Sequence, residues 1–439
     1  MKNKEIKKVA FITLGCKVNQ YETNGMIQEF IEYGYEVIEH TEKADIYVVN
    51  TCTVTNMSDR KSRQMLRRVK ELNPEAIVVA CGCYVQVVKE ELEKIKEIDL
   101  ILGNNEKKNI INHIEEYEKT LEKQIKIEDV MIQKEFVDFG EVTYTEKTRA
   151  VIKVQDGCDR FCSYCIIPYA RGRVRSRKSQ RVLDEIRKIS KEGIKEVVIT
   201  GIHVASYGKD FKEEYRLIDL LEEINQIEGI ERIRLGSIEP LLITEEFMGR
   251  LTKLEKICHH FHLSLQSGCN ETLKRMNRRY TAEQFKEIVR ILRKYYEDVI
   301  LTTDIIVGFP GETEEEFNKT YEFLQEINFY KMHVFKYSPR KGTKASQMKE
   351  QIDGNIKEER SQKLIELSNA NEQEYNKNYI GRNVEVLFEE KKDGVYKGHT
   401  KNYILAYLPE GNFEIEGIEN KVIKVKCCDV EKDHIIVSL

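Results

Sequence analysis

Arg149-Ala150-Val151-Ile152-Lys153-Val154-Gln155-Asp156-Gly157-Cys158-Asp159-Arg160-Phe161-Cys162-Ser163-Tyr164-Cys165 joins a strand-like run to a glycine turn and a loop with three cysteines. Three thiolates on one short loop can hold three corners of a cubane iron–sulfur cluster. The fourth iron then has no protein ligand, as a catalytic zinc keeps one position open for its substrate. A ferredoxin that only moves electrons would supply a fourth cysteine, so an open iron implies chemistry on a small molecule. Two alternatives stand beside this reading: a zinc site, or thiols packed in a core as small hydrophobes. Core packing predicts no charged residues between the cysteines, yet Asp159 and Arg160 sit there. A structural zinc needs a fourth Cys or His at similar range, and none follows Cys165 before His203.

The run that enters this loop begins a series of six strand-like segments: 150–154, 197–200, 233–235, 261–265, 301–307 and 333–337. Helical stretches such as 181–191, 217–226 and 314–327 fall between them. This alternation predicts a partial (β/α)6, TIM-like barrel over residues 148–375, with its site at the carboxyl ends of the strands. Four of the six prolines (168, 240, 310 and 339) lie just beyond such strand ends. Upstream, residues 1–140 alternate strand-like runs at 9–14, 46–50, 77–80 and 100–102 with helices, which predicts an open parallel α/β sheet. Residues 104–147 lose the apolar rhythm and read as an edge helix and linker. Downstream of a charged helix near 356–378, residues 379–439 carry short alternating runs broken by glycines, a small β-barrel. The expected architecture is thus an α/β multidomain chain of three units.

Bulk properties agree. A chain of 439 residues is too long for one ordinary core, and an apolar content of 41% suffices for several. Mean hydropathy is −0.52 and no apolar run approaches 18 residues, which excludes a helical membrane span and predicts no membrane partner. The run Val9-Ala10-Phe11-Ile12 is too short for an export signal and reads as a strand. The eleven cysteines are therefore expected in a reducing cytoplasm, where metal roles outrank disulfides. Net charge is −4, so nucleic-acid binding would need local patches. A monomer is expected.

The first unit carries a second constellation. Cys16, Cys52 and Cys83 each stand just after a predicted strand, in Gly15-Cys16, Thr51-Cys52 and Gly82-Cys83. In an open parallel sheet the carboxyl ends of the strands form one edge, where ligands bind, so the three converge there. Either they hold a second cluster or they are satisfied core thiols. Cys81 competes with Cys83 for the third place; Cys83 is preferred because Gly82 lets the chain leave the strand, whereas Cys81 continues it.

The C-x3-C-x2-C spacing with an aromatic before the last cysteine resembles the radical S-adenosylmethionine (SAM) enzymes. Together with Gly15-Cys16-Lys17-Val18-Asn19-Gln20, Asn50-Thr51-Cys52-Thr53-Val54 and Gly82-Cys83, the whole chain resembles the methylthiotransferase family. That resemblance implies two [4Fe–4S] clusters, on Cys158, Cys162 and Cys165 and on Cys16, Cys52 and Cys83, the second delivering sulfur. It implies that SAM is used twice: as methyl donor to that sulfur, and as source of the radical that activates carbon 2 of a tRNA adenine. It further implies an electron donor of unidentified nature and a C-terminal unit like a TRAM domain, most recognisable at Gly398-His399-Thr400-Lys401-Asn402-Tyr403. Thr200-Gly201-Ile202-His203, Ser237-Ile238-Glu239-Pro240 and Cys162–Gly172 resemble the branch acting on N6-threonylcarbamoyladenosine beside the anticodon. Targets of the other branches, isopentenyladenosine or a ribosomal-protein aspartate, are the alternatives within the family. A non-catalytic iron–sulfur RNA-binding protein is the alternative of another class.

For SAM the candidates are Tyr164 against the adenine, then Ser264 and Gln266, and Asp304 with Val307, at later strand ends. The family's glycine pair and glutamate after the second strand are replaced by Thr200-Gly201-Ile202-His203, which leaves the methionine-amine contact unassigned. Gly308–Thr313 reads as a turn with Thr313 as the N-cap of a helix rather than a phosphate cradle. The scheme demands no general base, and His203 and His333 are as readily structural. For RNA, residues 171–178 hold five cations in eight, Arg171, Arg173, Arg175 and Arg177 among them. Clusters at 60–70 and 274–279 would rim the same cleft. Residues 379–439 are net acidic, with 9 Lys and Arg against 11 Asp and Glu. RNA contact there falls to Lys397, Lys401 and Tyr403, with Tyr396 as a second stacking surface. Cys258, Cys269, Cys427 and Cys428 are read as structural.

Overall fold

The computed structural model describes residues 6–145, 148–409 and 417–439. In the first unit β1 (Lys8–Thr13), β2 (Glu36–Ile38), β3 (Ile46–Thr51), β4 (Ile77–Gly82), β5 (Leu100–Leu102) and β6 (Gln124–Lys126) form one parallel sheet in the order β2-β1-β3-β4-β5-β6. All six residues of β3 are buried, as a strand covered by helices on both faces requires. The chain leaves β1 toward β2 on one side and resumes with β3 on the other. The crevice between β1 and β3 is therefore a topological switch point, where open α/β sheets bind ligands. The edge strands β2 and β6 are absent from the sequence expectation.

The second unit contains β7 (Arg149–Asp156), β8 (Arg175–Ser176), β9 (Glu196–Gly201), β10 (Arg232–Leu235), β11 (His260–Gln266), β12 (Ile300–Val307) and β13 (Lys331–Lys336). Six are the expected strands. They form two parallel arrays, β10-β9-β7 and β11-β12-β13, with β8 antiparallel at the outer edge of β7. Isolated bridges, such as Ile238 to Leu263, join the arrays. Helices pack outside over the largest apolar core of the protein. Thr313 caps the helix Glu314–Ile327 through its hydroxyl, as expected. Among the described residues no helix is long and apolar enough to cross a membrane.

The third unit is a closed barrel of β14 (Asn383–Lys392), β15 (Val395–Thr400), β16 (Leu405–Pro409), β18 (His434–Ser438) and β17 (Val422–Glu431), in that order. Val386, Phe388, Tyr396, Ala406, Leu408, Val425, Ile435 and Val437 fill it. It docks on the amino ends of the second unit's strands. Arg232 donates to the carbonyls of His399 and Glu385, both at 2.9 Å, and Asn402 donates to that of Asp298 at 3.2 Å. The barrel thus lies at the opposite end of the second unit from the Cys158–Cys165 loop.

Candidate cluster sites and nucleic-acid surfaces

Cys16, Cys52 and Cys83 follow β1, β3 and β4, three adjacent strands. Two glycines make the approach possible: Gly15 (φ +110°) and Gly82 (φ +103°) adopt backbone that a side chain would strain. A Cβ on Gly15 would lie 2.9 Å from the Cys52 sulfur, and one on Gly82 would lie 2.4 Å from the Thr51 carbonyl oxygen. Asn19 ties the two loops by donating to the carbonyls of Leu14 (2.7 Å) and Thr51 (3.0 Å). Cys16 keeps exposed surface, yet desolvation pushes its thiol up, with Arg171 lowering and Cys83 raising it. It therefore lines a recess rather than the outer surface. Burial pushes the Cys52 thiol to about 11, with Cys83 and Cys16 adding to the rise. Cys81 instead packs in the apolar core with Met26, Val79 and Leu102, its thiol pushed to about 12 by burial.

The second loop lies at the carboxyl end of β7. The Arg160 amide faces the Cys158 sulfur at 3.5 Å, and Arg278 donates to the Cys162 sulfur at 3.4 Å. Burial and the neighbouring Cys162 push the Cys158 thiol to about 11 and the Cys165 thiol to about 12. Thiols so raised are poor nucleophiles; a metal cluster reverses that penalty by binding the thiolates. Among the described residues no three Cys, His, Asp or Glu side chains close on one point as the ligands of a single ion do. Thiolates on a cubane stand further apart than that.

A buried ionic network links the two constellations. The helix Ile167–Arg171 starts two residues after Cys165 and ends on Arg171, which is fully buried. Its Nε donates to the Cys83 sulfur at 3.1 Å, and its Nη atoms reach Asn19 (2.6 Å), Glu22 and Asp156 (3.4 Å). Lys153 bridges Glu22 and Asp156, both at 2.6 Å, while Lys107 also meets Glu22. Burial alone would raise both carboxyls, yet Arg171, Lys107 and Lys153 hold Glu22 well below the usual range. Lys153 and Arg171 hold Asp156 at about 2. Within this network Lys107, Lys153, Arg171 and Arg175 are all buried to 1% exposure or less, against Glu22 and Asp156. Four cations face two carboxylates, so two positive charges lie uncompensated in the interior. Unpaired buried charge is costly, and an anionic, thiolate-ligated cluster on Cys83 is the partner that would balance it.

The network corrects the expectation for the arginine-rich stretch. Arg171, Arg175 and Arg177 do not face RNA: Arg175 donates to the Arg171 carbonyl at 2.6 Å, and Arg177 pairs with Glu185 (2.9 Å) and Asp138 (2.8 Å). Arg173 alone of the four is exposed, over the Phe161 ring. Lys401 and Tyr403 are likewise docking residues. Lys401 donates to the Glu255 carbonyl at 2.5 Å, and Tyr403 stacks on His260 (4.8 Å) and His399 (4.6 Å) with Arg234 and Arg149 over its ring. Tyr396 points into the barrel core. Lys397 stays on the outer wall, 5.1 Å over Tyr407, whose ring stacks on His434. On the helix Asn56–Leu72, Arg60, Lys61, Arg67 and Arg68 are exposed.

Of the SAM candidates, Tyr164 packs edge-on to Phe309 in a small core with Met276 and Tyr337, so it braces the loop. The Ser264 carbonyl accepts from Arg278, the residue that also faces Cys162. Gln266 sits at a bulge with φ +75°, a strain that clusters at functional sites. Asp304 meets His262 at 3.2 Å, and Val307 is buried at the end of β12. The sequence reading did not assign Glu239. It accepts from Arg160 and lies 3.0 Å from His203, beside Cys158; against its burial, His203 and Arg160 keep it a carboxylate. The signal was Ser237-Ile238-Glu239-Pro240 after the third strand of the series.

A family model described as the Radical SAM superfamily matches residues 152–324, and one described as Uncharacterized protein family UPF0004 matches residues 8–103. The "Threonylcarbamoyladenosine tRNA methylthiotransferase MtaB" of Bacillus subtilis (strain 168) is 41% identical over 424 residues, covering 95% of this chain and 93% of that protein. The "tRNA-2-methylthio-N(6)-dimethylallyladenosine synthase" of Acetivibrio thermocellus is 34% identical, covering 94% and 87%. Among solved structures, the radical S-adenosylmethionine methyltransferase TsrM of Kitasatospora setae, with cobalamin and a [4Fe–4S] cluster bound, aligns with a TM-score of 0.57. At 16% identity, over 76% of this chain and 77% of that one, it shows a shared fold.

Proposed function

Because the chain belongs to the radical-SAM methylthiotransferase family, we propose that it attaches a methylthio group to carbon 2 of N6-threonylcarbamoyladenosine beside the anticodon of tRNA. The observation that carries this reading is a second three-cysteine constellation, set at a sheet's switch point and wired to the first, in a chain closer to the relative named for that substrate than to the one named for dimethylallyladenosine. Cys158, Cys162 and Cys165 would hold one [4Fe–4S] cluster, and Cys16, Cys52 and Cys83 the other. When bound, these groups and SAM supply a one-electron cleavage that yields an organic radical, and the sulfur to be transferred.

The chain's own residues bind, orient and balance charge. Arg278 and the Arg160 amide face the sulfurs of the first loop, and Arg171 faces Cys83. Ser264, Gln266, Asp304 and Val307 lie on the strands that end at this site and are the proposed SAM surface. Glu239, held as a carboxylate beside Cys158, takes the ammonium place left open by the missing glutamate of the second strand. Units 1–140, 148–375 and 379–439 divide the work: sulfur delivery, radical generation and RNA binding by a TRAM-like barrel. A reducing cytoplasm with an electron donor suits the eleven cysteines.

The test is turnover by anaerobically reconstituted protein on anticodon stem–loop RNAs carrying N6-threonylcarbamoyladenosine or isopentenyladenosine, with products identified by mass spectrometry. The expected product is the 2-methylthio form of the first RNA. Modification of the isopentenyl RNA alone would overturn the substrate assignment.

A further inference from the structure

The inner face of the second unit is layered. On β11 the inward residues are Ser264, His262 and His260; on β12, Ile306, Asp304 and Thr302; on β13, Phe335, His333 and Lys331. The register sets His262 against Thr302, Asp304 against His333 and Ile306 against Phe335, and the His262 ring reaches up to Asp304 at 3.2 Å. Two residues along a strand span roughly 7 Å, so each layer lies about that far below the one above. The top layer adjoins the proposed SAM site, since Arg278 touches both Ser264 and Cys162. Phe335 is 44% exposed there, an unusual surface for an inward-facing aromatic. The middle layer holds His262, Asp304 and His333, the two histidine rings 5.7 Å apart. Beneath lie His260, Arg234 and the docked Tyr403.

Polar atoms in the lower two layers lack partners among the described residues. Arg234 is paired with Glu196, at 2.6 and 3.2 Å, but its Nη1 has no hydrogen-bond partner among the described residues. Nδ1 of His260 has none either, and both side chains are more than nine-tenths buried. Lys17, which follows Cys16 and keeps exposed surface, feels the charges of Tyr403, Arg149, Arg234 and Glu196, and its own charge reaches both His260 and His333; desolvation lowers its pKa. Among the described residues it makes no ion pair. Arg149 is committed to Glu389 at 2.9 Å. The chamber thus presents one unpaired ammonium, one unpaired buried guanidinium N–H and one unpaired imidazole nitrogen, next to a cysteine of the sulfur-delivering site.

We propose that this chamber reads the amino-acid substituent of the target base, with Lys17 binding its carboxylate and Arg234, His260 and His333 completing an anion-binding pocket beside the His262–Asp304 pair. The inference rests on N6-threonylcarbamoyladenosine being the substrate. Carbon 2 of the adenine must stand at the level of Cys16 and the SAM site, and the substituent on nitrogen 6 then reaches down one layer, about 7 Å. A dimethylallyl group in the same place would leave the ammonium and the unpaired Arg234 N–H unmatched, and a site built for a charged partner strongly rejects a neutral one.

The experiment uses reconstituted wild type, Lys17→Gln and Lys17→Arg with two stem–loop RNAs: one bearing N6-threonylcarbamoyladenosine, the other its threonine methyl ester, which removes the charge and little else. Wild type is expected to prefer the acid. Lys17→Gln should lose roughly 10- to 100-fold in kcat/KM on the acid, the worth of one charge-assisted hydrogen bond, and little on the ester. Lys17→Arg should restore the preference. Iron and sulfide contents equal to wild type show that Cys16 still functions. If Lys17→Gln keeps the wild-type acid-to-ester ratio, the pocket assignment is wrong. If wild type modifies neither RNA while modifying an isopentenyl one, the substrate itself is wrong and the inference falls with it.

Discussion

Arg171→Met isolates what the buried network does for the second cluster site. The methionine keeps most of the side chain's length and removes the guanidinium. Glu22 retains Lys107 and Lys153, so no carboxylate is stranded, and the excess of buried positive charge drops from two to one. The fold should therefore tolerate the change. What disappears is the charge-assisted donor 3.1 Å from the Cys83 sulfur. Such bonds contribute roughly 1.5–3 kcal/mol, and they strengthen as electron density on sulfur grows. If about 1–2 kcal/mol of that distinguishes the reduced from the oxidised cluster, the potential should fall by about 40–90 mV, at 59 mV per 1.4 kcal/mol for one electron. The assay is an EPR-monitored redox titration in a Cys158/Cys162/Cys165→Ala background, which leaves the second site as the sole signal. Arg171→Lys, which keeps charge but not the Nε geometry, should fall between. A shift below about 20 mV would refute the reasoning and reduce Arg171 to a structural link.

Three further outcomes follow. Replacing Cys16, Cys52 and Cys83 together by Ala should lower iron and acid-labile sulfide from about eight to about four of each per chain; an unchanged content would remove these residues from the ligand set. Glu22→Gln should destabilise the protein at neutral pH by about 3–5 kcal/mol, because it strands Lys107 and leaves Asp156 as the one carboxylate facing Lys153, Arg171 and Arg175. Glu22's folded pKa is depressed, so its contribution is fully present above the ordinary value of 4.5 and fades as pH falls toward the depressed one. Urea unfolding of the two proteins should accordingly converge only below that range, and convergence already near pH 6 would contradict the sign. Tyr403→Ala should loosen the C-terminal barrel at a cost of about 3–5 kcal/mol, seen as faster proteolytic cleavage near residues 378–382 with the rest of the chain intact.

Strand-to-loop punctuation made most of the fold readable. The strands entering Cys16, Cys83 and Cys158 are apolar runs broken by glycine, and the one entering Cys52 is broken by Asn50-Thr51; periodicity finds such runs. Strands β2 and β6 escaped because three-residue edge strands bury little and leave no period. The failures at the site share one cause. A run such as Arg171–Lys178 looks solvated until its counter-charges are known, and those lie far away in sequence, at Glu22, Asp156 and Asp138. The same blindness hid Glu239, whose partners Arg160 and His203 come from two other loops.

Relocating these side chains changes how RNA must approach. Three of the four arginines beside the first cluster loop are consumed in joining the first unit to the second, and the Gly398–Tyr403 stretch is consumed in joining the third. Arg171, Arg175, Arg177, Lys401 and Tyr403, marked by sequence alone as nucleic-acid contacts, thus hold the three units in register. The candidate cations left exposed form two separate surfaces. One is Arg60, Lys61, Arg67 and Arg68 on the helix that leaves Cys52, with Lys274, Arg279 and Arg173, the last paired with Asp159, exposed beside the other cluster loop. The other is Lys397 with the stacked Tyr407 and His434 on the C-terminal barrel, at the far end of the second unit. A stem–loop gripped by its backbone at the first surface can present one flipped base to the chamber. The barrel's cation-and-ring strip suits a more distant part of a larger RNA, since stacking tolerates any base and phosphate contact any sequence. Under the proposed function, that division would assign selection of the modified base to the interior and selection of tRNA as a molecule to the span between two outer surfaces.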